Sequence, residues 1–295
     1  MAANSPHRPP SLREEGDSAE PERLKSDRIE AALTTALEGG STKLLFDLLD
    51  RASGMPGPRP HTDVLRAFGA RIAAEKGAGE EILAELLESK KTSLFYVGVM
   101  VLAERAIKSG EKRALGQLMD LAEDERKERR DAITDALVIV LAARSDEGAR
   151  VVRPLADGYL HAYVALEALT NARVLEKLSE SDSVLGLMSD AFASADEAPR
   201  AADRSQGLRL LRLGFPKQIA RASVRFADTA DWLKERLDWP RPDTREVVAE
   251  AIRGLRKVLG EAEADRLRIE LEGNAKPPRD PSRIVKGTRK RSRGR

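Results

Sequence analysis

The hydrophobic positions between Glu80 and Ala143 repeat in a two-part figure. A short amphipathic run, Ile82, Leu83, Leu86 and Leu87, has the spacing of one helix face. After the polar turn Ser89, Lys90, Lys91 and Thr92 comes a long, mostly apolar stretch from Leu94 to Ile107. The figure then recurs with Leu115, Leu118, Met119 and Leu121, a charged turn from Glu123 to Arg130, and a second apolar stretch from Ile133 to Ala143. The two cores rhyme, Val99-Met100-Val101-Leu102-Ala103 against Val138-Ile139-Val140-Leu141-Ala142. One short partner helix cannot cover such a long apolar helix. Neighbouring hairpins that lean on each other can, and the pattern predicts a stack.

The rest of the chain reads in the same terms. Residues 1–26 hold Pro, Ser, Glu and Arg with almost no apolar content, too little to repay the entropy of folding, and are expected to be a disordered N-terminal segment. Asp27 is a plausible helix cap ahead of Ile29, Leu33 and Leu37, with Gly39-Gly40 ending that helix. Ser41 then precedes Leu44, Leu45, Leu48 and Leu49; the three prolines between Gly54 and Pro60 break the chain; Thr62 opens a helix with Val64, Leu65, Phe68 and Ile72. Further helices are expected at 147–157, 159–171 and 184–193, and from Pro199 until Gly214-Phe215-Pro216 stops it. After these come 219–226, 230–237, a helix capped by Asp243 with Val248, Ile252, Leu255 and Leu259, and a last one from Glu261 to Leu271. No convincing alternating strand pattern appears. The expected organisation is a helical stack over 27–273 followed by a disordered basic tail over 274–295.

Composition removes several chemistries. The chain has no cysteine, which excludes disulfides, zinc ribbons, iron–sulfur clusters and thiol catalysis. Its three histidines, His7, His61 and His161, are too scattered for a familiar metal-ligand spacing, so no metal or other cofactor is expected. The opening residues lack the apolar segment of a secretory signal, and the most apolar run, Leu94 to Ala103, is about half the ~20 residues of a membrane span. No P-loop, dinucleotide fingerprint, HExxH or GxSxG motif is present. A cytoplasmic protein without a membrane span is the expectation.

Charge changes the picture more. The formal net charge of +2 conceals a strong division along the chain. Residues 276–295 carry nine Lys/Arg against one Asp, and residues 200–257 fourteen against eight, whereas residues 1–199 carry 26 against 35 Asp/Glu. A basic end on an otherwise acidic chain suggests an anionic partner.

One segment supports a family resemblance. Pro242-Asp243-Thr244-Arg245-Glu246-Val247-Val248-Ala249-Glu250-Ala251-Ile252-Arg253-Gly254-Leu255 resembles the second helix of a HEAT-type repeat, with its Pro/Asp turn, small residues and Leu. Thr244 stands before Arg245, where the family usually places Val, and Asp131 to Leu141 is a fainter echo. The resemblance, to the HEAT-like and armadillo-like helical-repeat proteins, implies an all-α fold, a right-handed α–α superhelix of stacked helical hairpins. It also implies a scaffold for a protein partner, nucleic acid or both. Such a fold fixes no chemistry.

Four groups of residues are candidates for a site. The first is the tail, where Arg283, Lys286, Arg289, Lys290, Arg291, Arg293 and Arg295 form a compact cation able to release counterions from nucleic acid or another polyanion; a solubilising tail is the plain alternative. The second is a set of arginines at helical spacing: Arg209/Arg212, Arg221/Arg225 and Arg245/Arg253/Arg256, with Arg200/Arg204 beside them. Lined up, they would form a phosphate-holding groove; solvated faces paired with Asp203, Asp228, Glu246 and Glu250 are the preferred reading. Third, Trp232 and Trp239 stand beside Asp231 and Asp238. One branch of HEAT-like proteins consists of DNA glycosylases that hold a cationic base on tryptophan faces and use an Asp, so the resemblance admits an enzymatic alternative at these four residues. The two Trp lie within eight positions of each other, and ordinary packing is preferred. Fourth, His161 between Tyr159 and Tyr163 reads as a packing histidine before an acid–base one.

Overall fold

The computed structural model describes residues 19–275, apart from 56, 58, 59, 109–111 and 240, with side chains from Asp27 onward. The greater part of the expected disordered segment and all the tail cations lie outside the described residues. Among the described residues there is no strand, and the fold is all-α. In chain order the helices are α1 (Ala19–Leu37), α2 (Lys43–Ala52), α3 (Thr62–Ala74), α4 (Ala78–Glu88), α5 (Thr92–Lys108), α6 (Lys112–Asp120) and α7 (Lys127–Val152). There follow α8 (Tyr159–Leu169), α9 (Ala172–Leu175), α10 (Asp182–Glu197), α11 (Gln206–Arg225), α12 (Asp228–Lys234), α13 (Pro242–Gly254), α14 (Arg256–Leu259) and α15 (Glu261–Gly273).

Helices pack in two compact units. Unit 1 takes the described residues up to Leu118 together with Arg126–Ala136; unit 2 takes Met119–Glu125 and the described residues from Leu137 on. In unit 1 the apolar helix α5 is buried almost throughout, from Ser93 to Glu104. It lies closest to α3, where a Cβ added to Gly69 would stand 2.8 Å from that of Met100. Thr62 meets Tyr96, and Gly69 farther along α3 meets Met100 and Val101, so the two helices run in the same direction. α4 forms the antiparallel partner, with Leu86 and Leu87 against Gly98. Polar ties finish the packing: Arg66 donates to the buried Glu104 at 2.7 Å, Tyr96 donates to Asp135, and the Arg129 guanidinium covers the Phe95 ring at 4.2 Å. Burial together with the Asp135 carboxylate pushes the Tyr96 phenol well above its usual value.

Unit 2 repeats the parallel arrangement with α8, α11 and α13. Tyr159 and Leu160 face Gly207, Tyr163 faces Gly214, and Glu167 accepts from Gln218 (3.0 Å) and Arg221 (2.9 Å), so contacts advance together along α8 and α11. Arg212 reaches Asp243 at 3.2 Å, and Ala220 faces Gly254, so α11 and α13 also advance together. α10 packs across them: Thr244 donates to the Asp196 carboxylate at 2.7 Å, both residues buried.

Several local expectations are corrected. α1 begins at Ala19, so Asp27 lies within the helix instead of capping it. The segment expected at 147–157 continues α7 across a kink at Ser145 (φ 50°), and Arg153–Leu155 is a 3-10 turn that accommodates Pro154. Pro199 precedes a 3-10 turn, Arg200–Arg204, and α11 starts one step later, where the Ser205 side chain accepts from Leu208 N at 3.2 Å. Gly214-Phe215-Pro216 does not end a helix: α11 runs through it. A proline inside a helix costs about 3 kcal/mol. Here Leu208, Leu211, Phe215, Ile219 and Ala222 are all buried at 1 % exposure or less. At roughly 1.5–3 kcal/mol for each large side chain, their burial outweighs the proline. At α13 the cap is Arg241, Pro242 takes the first helical position, and Asp243 turns to Arg212.

The Ser145 kink is held from the side. Its hydroxyl donates to the Lys177 carbonyl, and the Asp146 carboxylate accepts from Ser179 N (3.1 Å), Ser179 Oγ (2.6 Å) and Glu180 N (3.4 Å). The Ser179 hydroxyl foremost holds the Asp146 carboxyl below its usual range. A carboxyl whose folded pKa is depressed contributes stability above its unfolded value, about 3.9, and loses it as pH falls through the folded value. Asp146→Asn should therefore melt lower than the wild type at pH 7, and the gap should shrink below about pH 4. A gap independent of pH between 7 and 3 would remove this linkage.

Candidate functional site

The site residues expected from the sequence fall mainly on unit 2. Because α11 stays helical through Pro216, a single face carries Leu213, Lys217, Ala220 and Val224 at intervals of four, three and four. That face borders an open cleft of about 750 Å³ between α11 and α13. Leu213, Pro216, Ala220, Val247 and Gly254 form its apolar lining, with Arg212, Lys217 and Arg253 set against Asp243, Glu246 and Glu250. Leu213 is 72 % exposed and Val224, farther along α11, is 82 % exposed. Neither is a candidate while Pro216 is read as a helix stop, because Leu213 and Val224 then fall on separate helices. The signal was present in the spacing, for a helix read as continuous.

The groove arginines do not line up as a free cationic wall. Arg212 lies 3.2 Å from both Asp203 and Asp243 and donates to the Ala195 carbonyl. Arg221 pairs with Glu167 at 2.9 Å, Arg253 with Glu250, and Arg256 with Asp265 at 2.8 Å. Arg225 donates to the Leu178 carbonyl at 3.2 Å, and Arg245 donates to the carbonyls of Trp239 (2.7 Å) and Asn274. Most of these side chains thus serve the fold, joining one helix or loop to another. Arg209 and Lys217 differ: both are exposed, and neither side chain makes an ion pair or hydrogen bond among the described residues.

The two tryptophans come together, but around a third ring. Phe192 on α10, 1 % exposed, stands edge-on to Trp232 (centroids 5.6 Å apart) and Trp239 (5.2 Å), and packs on Phe215 at 4.8 Å. Trp232 is itself buried, donates from Nε1 to Ser189 Oγ at 2.9 Å, and is covered by the Arg236 guanidinium at 4.0 Å. Burial pushes that guanidinium below its usual value. Asp231 pairs with Lys234 at 3.0 Å on the surface, and Asp238 accepts from Asn274 Nδ2 at 2.6 Å. The rings are thus packed on Phe192, and the two carboxylates are engaged with Lys234 and Asn274.

His161 is also a packing residue. Its side chain is 12 % exposed, with Nδ1 3.5 Å from the Asp157 carboxylate, and a Cβ on Gly158 would come within 2.6 Å of that nitrogen. No cluster of three or more His, Cys, Asp or Glu able to hold a metal ion occurs among the described residues. No helix among them is long and apolar enough to cross a membrane. The tail residues Arg283, Lys286, Arg289, Lys290, Arg291, Arg293 and Arg295 lie outside the described residues.

Compared with known protein families, curated proteins and solved structures, the chain matches none of them.

Proposed function

We propose that this protein is a non-enzymatic, HEAT-like helical-repeat scaffold, a right-handed superhelix of hairpins, that binds a macromolecular partner and touches nucleic acid or another polyanion through its basic tail. The parallel packing of α3 with α5, and of α8, α11 and α13, supports the repeat reading: corresponding helices of successive hairpins lie side by side. The observation that carries the functional reading is the distribution of charge. Six of the seven groove arginines are tied to carboxylates or backbone carbonyls of their own unit. The large cationic surplus therefore resides in residues 276–295, nine Lys/Arg against one Asp. A cation of that size gains free energy chiefly by releasing counterions from a polyanion.

The test is duplex DNA and single-stranded RNA binding by the full chain and by a chain ended at Gly273. The full chain should lose roughly a thousand-fold in affinity between 50 and 200 mM salt if about six phosphates are contacted. Truncation should weaken binding about ten-fold and flatten that slope. A truncated chain that binds as tightly and with the same slope would take the tail out of the mechanism. Absence of salt-dependent binding in the full chain would leave a protein–protein adaptor.

A further inference from the structure

We infer that the α11–α13 cleft of unit 2 is a docking site for an amphipathic helix of a protein partner, one that carries carboxylates beside its apolar stripe. This rests on the reading of the chain as a scaffold and names the class of partner. The α11 face offers an exposed leucine with a free cation one turn before it and another one turn after it: Arg209, Leu213, Lys217. At 1.5 Å per residue the two cations stand about 12 Å apart along the helix. That distance suits carboxylates two turns apart on a second helix laid alongside, with its apolar residues between them meeting Leu213 and the Pro216–Ala220–Val247 floor. Val224, exposed two turns beyond Lys217, prolongs the apolar stripe.

The charges of the cleft select the partner. Arg212 and Arg253 are neutralised by Asp203, Asp243 and Glu250 and are not available to an incoming group. What remains is the positive edge of α11, with Glu246 as the one lining carboxylate that makes no ion pair or hydrogen bond among the described residues. Two cations two turns apart on one helix, with the Glu246 carboxylate also lining the cleft, make a poor phosphate track, and exposed Leu213 and Val224 would gain nothing from a nucleic-acid backbone. An acidic amphipathic helix uses both the cations and the apolar stripe.

The experiment uses the full chain and two labelled synthetic helices of roughly 18 residues built from Leu, Ala and Glu, or from Leu, Ala and Lys. Fluorescence anisotropy should show the Glu peptide binding at least about ten-fold more tightly than the Lys peptide. Leu213→Asp and Lys217→Glu should each weaken the Glu peptide about ten-fold, with circular dichroism and melting unchanged because both side chains are exposed. Equal binding of the two peptides, no binding of either, or undiminished binding by Leu213→Asp would overturn the inference. So would concentration-dependent self-association that Leu213→Asp abolishes, since that would assign the cleft to a second copy. DNA binding by the full wild-type chain separates the two readings. No preference for the Glu peptide alongside salt-dependent DNA binding defeats only the cleft, and a Glu-peptide preference without salt-dependent DNA binding defeats only the tail.

Discussion

Leu102→Asp should cost unit 1 about 4 kcal/mol at neutral pH, enough to melt a unit of ordinary stability. Leu102 is fully buried at the centre of α5, a helix covered by α3 on one side and α4 on another. Arg66, which reaches Glu104 two residues along the same helix, is already engaged there. The penalty must depend on pH in a definite sense. Burial raises the folded pKa of the new acid, so its cost is small below the unfolded value near 3.9 and grows as pH rises above it. Leu102→Asn, which cannot ionise, should show no such trend. Denaturant melts monitored by circular dichroism at pH 4 and pH 7 read both features. An Asp variant as stable as the wild type at pH 7 would mean that α5 is not the interior helix of its hairpin.

The second large effect belongs to Phe192. Its ring is the only one of the cluster that touches three others, Phe215, Trp232 and Trp239. Truncating a buried Phe costs about 3–5 kcal/mol through lost transfer energy and the cavity left behind. Edge-to-face pairs of this kind add about 0.5–1.5 kcal/mol each beyond their buried area. Phe192→Ala should therefore destabilise unit 2 by about 4 kcal/mol. The chain has two tryptophans, and both lean on this ring, so intrinsic emission reports the corner directly. A red shift should accompany the loss of stability as water reaches the indoles. A variant with wild-type emission and a loss below about 1 kcal/mol would show the rings are not packed as described, and would reopen Trp232, Trp239, Asp231 and Asp238 as a binding corner.

How far each helix could be read from the chain depended on what ended it. Helices closed by glycine or by a polar turn were legible: α1 ends before Gly39, α3 begins at Thr62, and α8 begins at Tyr159. Caps and turns are local, so a few residues decide them. Prolines were harder. Pro154 and Pro199 do interrupt regular helix, as their missing N–H requires, but Pro216 does not. The difference is that α11 buries a full apolar face between α8 and α13, an energy that no reading of neighbouring residues contains. The candidate site inherited that error: with a stop at Pro216, Leu213 and Val224 belonged to different helices and no common face could be seen.

The sequence by itself determined the class of this protein. A period near 3.6, the absence of alternation and the recurrence of long apolar helices admit helical hairpins and little else, because each hairpin leaves one face that only another helix can cover. It also settled the charge division, since formal charge needs no coordinates. Tertiary structure alone decided which charges remain free. Whether an arginine is a binding group or a tie depends on the carboxylate that a distant segment brings to it: Glu167 to Arg221, Asp265 to Arg256, Asp203 to Arg212. It likewise decided that Trp232 and Trp239 turn inward on Phe192, for the direction of a ring is set by the shape of the space its neighbours leave.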